Sequence, residues 1–274
     1  MRAFSIDARC RFERAARFAR LFPGELWRDI KLAARKRGAQ RGINAFERQW
    51  MSQNGEDGIV REIFNRIGTT NKYFVEFGVE DGRQCNASLL ATYSHWHGLF
   101  IEGSDKHFPR LARTFSPYPG IMTVKEYLTK ENIAEVFARA GVPLTFDFLS
   151  IDVDGNDYWL WQALHEYKPR LVVIEYNAAY PPPAKWVMKY NPGFRWKGTA
   201  YYGASLTSLT RLATSMGYAL IGTEQHGINA FYLRSELLAD ARLPELTPEE
   251  AYHPPRFSFL HPTHPWGYGP ADEI

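Results

Sequence analysis

Two short stretches of the chain concentrate oxygen ligands. Asp152-Val153-Asp154-Gly155-Asn156-Asp157 follows the apolar run FDFLSI, and Glu175-Tyr176-Asn177 closes the run LVVIE, with Glu175 twenty-one residues after Asp154. Alternate side chains of a strand share a face, so Asp152 and Asp154 point the same way where the strand extends through them. If the two runs are neighbouring strands, Asp152, Asp154, Glu175 and Asn177 converge on one rim. Oxygen donors of this kind suit Mg²⁺, Mn²⁺ or Ca²⁺. They equally suit hydrogen bonding to a cofactor and an acceptor, and Asp154 or Asn156 suits the cap of a following helix. The residue types leave these three roles open. A helix-loop-helix calcium site is excluded, because the twelfth loop position is Ala163 rather than a glutamate.

A second group lies earlier in the chain. Glu76-Phe77-Gly78-Val79-Glu80-Asp81-Gly82 follows the run YFVEF, and glycines at the carboxyl end of a strand permit a ligand to approach the backbone closely. Neither the Gly-x-Gly-x-x-Gly dinucleotide fingerprint nor the Gly-x-x-x-x-Gly-Lys phosphate loop is present. Glu80 and Asp81 would repel a pyrophosphate, so a cofactor with positive charge and no phosphate fits better; S-adenosylmethionine (SAM), a sulfonium with an ammonium group, meets that description. Glu102 ends the next apolar run, LFIE, twenty-six residues after Glu76, about the offset at which an acid meets ribose hydroxyls. Of the eight histidines, His226 lies in the turn between the last two apolar runs and is a candidate base, alongside Asp154. Residues 180–202 are dense in Tyr, Trp, Pro, Lys and Arg; aromatic faces there suit a sugar ring, or a contact between two copies of the chain.

The elements that must hold these residues are legible as an alternation. Short buried strands are predicted at 73–77, 98–101, 121–124, 146–151 and 171–175, with helices at about 86–93, 106–115, 130–140 and 157–166 between them. A helix capped by Ser52, with Glu56 and Asp57 in its first turn, precedes the first strand and stops at Gly68. Such repetition demands a mostly parallel sheet with helices on both faces. The closely spaced runs 218–223 and 228–233 suit an antiparallel pair at its end.

Charge is unevenly placed. Residues 1–41 carry twelve Arg and Lys against four acids, a net +8, while the rest of the chain is at −5. Two amphipathic helices are expected in this head, either packed on the body or touching an anionic membrane or polymer. No nucleic-acid motif is present, so no nucleic-acid partner is expected. Two cysteines exclude a disulfide framework and a cysteine-rich zinc module. No apolar run is long enough to cross a membrane, and no secretory signal is recognisable. A cytoplasmic location is the expectation, peripheral to the inner face of the membrane only if the head touches lipid rather than packing on the body.

The segments FVEFGVEDG, LFIEGS, FDFLSIDVDGNDYWLWQAL and LVVIEYN, in this order, resemble the class I SAM-dependent methyltransferases. Ser52-Gln53-Asn54-Gly55-Glu56-Asp57 and Ile151-Asp152-Val153-Asp154-Gly155 resemble the FkbM-like group in particular. The resemblance implies a Rossmann-like α/β fold, with a seven-stranded, mostly parallel sheet and the last strand antiparallel. It implies a methyltransferase domain over 46–240, with 1–45 a basic extension and 241–274 a Pro-, His- and aromatic-rich tail. It also implies SAM held by Glu76, Gly78, Gly82, Glu102 and Asp152, and methyl transfer to a hydroxyl of a sugar, polysaccharide or glycosylated metabolite. Some sugar and catechol O-methyltransferases hold a divalent metal with acids after strands four and five. Here Asp152, Asp154, Glu175 and Asn177 would take that place, with Mg²⁺ or Mn²⁺, although Tyr176 separates the strand-five pair that is adjacent in those enzymes. The alternatives are small-molecule O- or N-methylation without metal, and a non-catalytic scaffold for a membrane-associated assembly. A homo-oligomer is compatible with each.

Overall fold

The computed structural model describes residues 42–256 and 271–272. The basic head at 1–41 lies outside them, as do residues 257–270 and 273–274 of the Pro- and His-rich tail. A short 3₁₀ turn at Ile43–Phe46 leads to α1 (Glu56–Ile67) and β1 (Tyr73–Phe77). There follow α2 (Ser88–Tyr93), β2 (His97–Ile101), α3 (Phe108–Phe115), β3 (Ile121–Val124), α4 (Ile133–Arg139), β4 (Thr145–Ile151), α5 (Asp157–Ala163) and β5 (Lys168–Glu175). After β5 come the two-residue strand β6 (Val187–Met188), α6 (Leu206–Ser215), β7 (Tyr218–Thr223) and β8 (Asn229–Arg234). The short helices α7 (Leu238–Ala241) and α8 (Pro248–Ala251) follow, and Ala271–Asp272 pairs with β6 as β9.

The main sheet has seven strands in the order β3-β2-β1-β4-β5-β8-β7. Neighbours from β3 through β5 are parallel, while β8 runs antiparallel to both β5 and β7. This is the Rossmann-like, seven-stranded and mostly parallel sheet expected from the sequence, with the last of the seven strands reversed. Strand alternation divides the core in two. Val75 and Phe77 of β1 face α4, α5 and α6 on one side. Phe74 faces α1, α2 and α3 on the other.

The strand order reverses at β1. The chain runs outward from it to β2 and β3, then returns to its other side with β4 and β5. In such sheets the crevice at the carboxyl ends of the strands flanking the reversal is where ligands bind. Glu76, Glu102, Asp152 and Asp154 lie at or just past the carboxyl ends of β1, β2 and β4, at that edge.

Several local expectations are corrected. Ser52 does not cap α1; Gly55 occupies the cap with φ at 103°. The reason is Asp57, whose Oδ2 accepts the N–H groups of Trp50, Met51 and Ser52 and winds this segment over the helix start. Ser52 instead accepts the Asp57 N–H on its Oγ, at 3.2 Å. The helix α6 and the strand β6 are additions to the sequence reading. The tail also begins later than expected. Leu246 donates its N–H to Leu220 in β7, α8 carries a Thr247–Glu250 capping box, and the Tyr176 hydroxyl donates to the His253 carbonyl, so the chain stays on the body to residue 256.

Candidate active site

The turn after β1 is shaped by backbone packing. Gly78 has φ at 81°, and a Cβ there would lie 1.4 Å from the Asp152 carbonyl oxygen. The glycine therefore lets the ends of β1 and β4 close together; the space is filled by Asp152 and not kept for a ligand. Gly82, at φ 77°, is required by α3, because a Cβ would meet Phe115 and Leu111 at 2.4 and 2.8 Å. Its assignment to the cofactor is corrected accordingly: it lines neither of the cavities described below.

Glu76 has a structural duty. Its carboxylate accepts the N–H groups of Asn86 and Ala87, each at 2.8 Å, and the Ser150 hydroxyl at 3.1 Å. It thereby ties the turn from β1 to the start of α2 and to β4. Burial pushes its carboxyl up to about 7, against the lowering effect of these three bonds.

Glu102, one residue beyond β2, is fixed by two backbone groups. Oε2 accepts the Glu80 N–H at 2.8 Å and Oε1 the Ser104 N–H at 2.7 Å. An ionised carboxylate can accept about four hydrogen bonds, so each oxygen retains capacity. It faces a cleft of about 490 Å³, a volume suited to a cofactor-sized ligand. The cleft runs along the carboxyl ends of β1 to β4. Gly78 and Glu80, Glu102 to Ser104, Glu126 to Leu128, and Asp152 to Asp154 form its floor. Glu80 and Asp154 are two of the five non-glycine residues at positive φ among the described residues. Such conformations concentrate at functional sites.

The opposite wall comes from the segment after β6. Pro192, Phe194, Arg195 and Trp196 line the cleft. The Arg195 guanidinium lies 4.1 Å from the Tyr127 ring centroid, and the Asn156 amide donates to the Asn191 carbonyl at 2.8 Å. Lys130 sits over the Tyr190 ring at 4.3 Å. The segment thus straddles the cleft from the loop after β3 to the loop after β4. Phe194 seats against Gly155, where a Cβ would come within 2.5 Å of its ring.

The acids after β4 and β5 do converge. One oxygen each from Asp152, Asp154 and Glu175 lies within 4.8 Å of the others. Asp157 aims this loop: its two oxygens accept the N–H groups of Val153 and Gly155 at 2.8 and 2.9 Å. Burial, reinforced by mutual repulsion, holds the Asp152 and Glu175 carboxyls well above the usual range, and Asp154 is pushed up to about 6. Glu175 is 8% exposed, and its Oε2 has no hydrogen-bond partner. An orphaned, buried acceptor beside two further carboxylates fits a divalent cation or a hydrogen-bond donor.

Asn177 departs from the set expected in the sequence. Its amide donates to the Ala200 and Tyr202 carbonyls at 2.8 and 2.7 Å, and its Oδ1 accepts the Ala179 N–H. It clamps the aromatic segment to the sheet and is not free to ligate. His226 is also elsewhere. Its Nδ1 lies 3.1 Å from Glu224 Oε2, its ring is partly exposed, and it lines neither cavity. Tyr202 was missed from sequence. Buried at 3% exposure, its hydroxyl is held well above the usual tyrosine range by burial and then by the nearby Glu175, Asp152, Asp154 and Asp157 charges. Its position in an aromatic-rich segment gave no sign of which ring would face the acids.

No protein-family model matches the sequence, and no curated protein does. Among solved structures, the chain is similar to the N-terminal domain of EvdMO1 with SAH bound: 13% identity over 75% of this chain and 94% of that one, with a TM-score of 0.43. It is similar to a putative caffeoyl-CoA O-methyltransferase from Staphylococcus aureus at 12% identity, over 65% of this chain and 82% of that one, with a TM-score of 0.43. It is also similar to Aeropyrum pernix fibrillarin in complex with SAM, at 10% identity over 61% and 68% of the two chains and a TM-score of 0.42.

Proposed function

We propose that this chain is a SAM-dependent methyltransferase that methylates a hydroxyl of a sugar or glycan, as the FkbM-like resemblance implies. The observation that carries the reading is the 490 Å³ cleft across the carboxyl ends of β1 to β4, with Glu102 fixed at its floor. Glu102 would accept the ribose hydroxyls. The loop after β3, with Tyr127 and Leu128, would flank the base. SAM supplies an electrophilic methyl group on its sulfonium when bound.

The chain's own contribution is alignment and removal of one proton. Asp154 lines the cleft and its raised carboxyl, at about 6, suits a base that works near neutral pH. Asp152, Asp154 and Glu175 would also hold a divalent ion, and such an ion lowers the pKa of a bound hydroxyl. The aromatic segment at 190–202 would receive the sugar.

Incubation with methyl-labelled SAM and a panel of sugars and oligosaccharides tests the reading, with mass spectrometry locating the added methyl. An O-methylated sugar is expected. Label appearing only on nitrogen of non-sugar acceptors would overturn the sugar assignment. Full turnover in EDTA would eliminate the metal and leave Asp154 as the base. Loss in EDTA, with recovery on adding Mg²⁺ or Mn²⁺, is the result expected if the three acids hold an ion.

A further inference from the structure

Charge around the cleft is segregated. Its floor carries five carboxylates, from Glu80, Glu102, Glu126, Asp152 and Asp154, and a recess of about 70 Å³ beside it adds Glu56, Glu76 and Asp81. Among the residues that line either space, Arg195 is the only lysine or arginine. The segment that straddles the cleft has the opposite character. From 176 to 223 the sequence has no Asp or Glu in 48 residues, where the chain's 30 acids in 274 would place about five. Four of the five cations in this stretch, Lys185, Lys189, Arg195 and Lys197, fall within thirteen residues, and all four are exposed.

These four cations are not balanced by the chain. Other cations beside the cleft are paired, Lys125 with Asp105 and Arg139 with Glu126. Lys185, Lys189, Arg195 and Lys197 take part in no ion pair among the described residues. The backbone that carries them is held in place. Met188 of β6, just before Lys189, donates its N–H to the Gly203 carbonyl and accepts the Trp159 indole N–H at 2.8 Å. Trp196, just before Lys197, donates its indole N–H to the Thr199 carbonyl at 2.7 Å. Phe194 packs on Gly155, next to Asp154, so one segment touches the acid loop with its inner ring and carries exposed cations on either side of it. Each cation also has an aromatic neighbour in the chain: Lys185-Trp186, Lys189-Tyr190 and Phe194-Arg195-Trp196-Lys197.

We propose that the acceptor is an anionic saccharide, whose carboxylate or phosphate groups meet the rim of Lys185, Lys189, Arg195 and Lys197 while a hydroxyl reaches the acids after β4 and β5. This rests on the reading of the cleft as the site of a sugar methyltransferase and names the class of sugar. Charge sets the orientation. An anionic group is repelled by Asp152, Asp154 and Glu175 and attracted by the rim, so the sugar enters with a neutral hydroxyl inward and its charge outward. Lysine and arginine bind such anions through charge-assisted hydrogen bonds, and the rings beside them offer faces for the sugar's apolar side. A neutral sugar would use the rings alone and leave the four charges unmatched. A single-stranded nucleic acid needs a row of open ring faces, whereas Trp186 is stacked on Tyr180 and Tyr190 carries Lys130.

Titration calorimetry on the full chain, with and without S-adenosylhomocysteine (SAH), tests this with saccharides matched except for charge. Trigalacturonate is compared with its methyl ester, and glucose 6-phosphate with glucose. Wild type should bind the anionic member of at least one pair about ten-fold tighter, and the preference should shrink as NaCl rises from about 50 to 300 mM. The pair that shows it assigns the anion as carboxylate or phosphate. A triple variant, Lys185→Gln, Lys189→Gln and Lys197→Gln, should lower the ratio below about three-fold and leave SAH affinity unchanged, since all three side chains are exposed and none lines the cleft. Ratios near one in both pairs, a preference that the triple variant leaves intact, or no measurable binding of any of the four saccharides overturns the proposal. If an oligothymidylate or phosphatidylglycerol vesicles bind through the same lysines while the saccharide ratios stay near one, the rim serves another polyanion and the proposal is likewise overturned. Absence of SAH binding instead contradicts the methyltransferase reading, and the titrations without SAH then decide the rim by themselves.

Discussion

Glu76 is an acid whose position in the sequence suggests ligand chemistry, and Asp57 one expected in the first turn of a helix; both oxygens of Glu76 and the Oδ2 of Asp57 are bound by the chain's own N–H groups. Burial raises both, Glu76 from 4.5 to about 7 and Asp57 from 3.8 to about 6. The native state therefore retains protons that the unfolded state has released. Stability from these groups is greatest below the unfolded values and is lost as pH rises, between about 4.5 and 7 for Glu76 and between about 3.8 and 6 for Asp57. Urea denaturation at constant ionic strength should show the Glu76→Gln variant with a shallower fall in stability from pH 5 to pH 7.5 than wild type. An unchanged slope would show that Glu76 does not titrate in that window. The sequence marked the acids at 76, 102, 152, 154 and 175. It could not show which would be met by backbone donors, since those donors come from turns whose shape depends on distant contacts. Asn177 illustrates this, because its partners lie at Ala200 and Tyr202.

The strands were readable almost to the residue because each is a run of buried β-branched and aromatic side chains, and β1, β3 and β7 have the predicted bounds. The segment from 178 to 205 was not, since its path is set by long-range clamps rather than by periodicity. Two predictions belong to these elements. Gly78→Ala forces a positive-φ alanine and drives its Cβ into the Asp152 carbonyl, so it should destabilise the chain by on the order of 3 kcal/mol or more. A melting temperature equal to wild type would show that β1 and β4 are not packed as described. Arg195→Ala removes the stack on Tyr127 and should weaken SAH binding by about two- to five-fold, the value of an exposed cation–π contact of about 0.5–1 kcal/mol, with no change in melting temperature. Unaltered affinity would mean that the segment does not close on the ligand.

At the scale of the molecule, the body starts before residue 46 and extends past 240. Ile43 is buried at 3% exposure against Gly222 of β7, and Asn44 donates to the Thr223 carbonyl. A chain beginning at Gln49 should thus be less stable than one beginning at Gly42 by at least the ~1.5–3 kcal/mol of burying one large aliphatic side chain. Equal melting temperatures would place the boundary where the change in composition suggested. Among the described residues no helix is long and apolar enough to cross a membrane. The central claim is that the cleft over β1 to β4 binds SAM through Glu102. Titration calorimetry with SAM on wild type and Glu102→Ala tests it most directly. The account predicts saturable one-to-one binding to wild type and at least a ten-fold loss in the variant, since a hydrogen bond to a charged group is worth about 1.5–3 kcal/mol. Equal affinity of the two proteins, or no heat of binding from wild type, would contradict it.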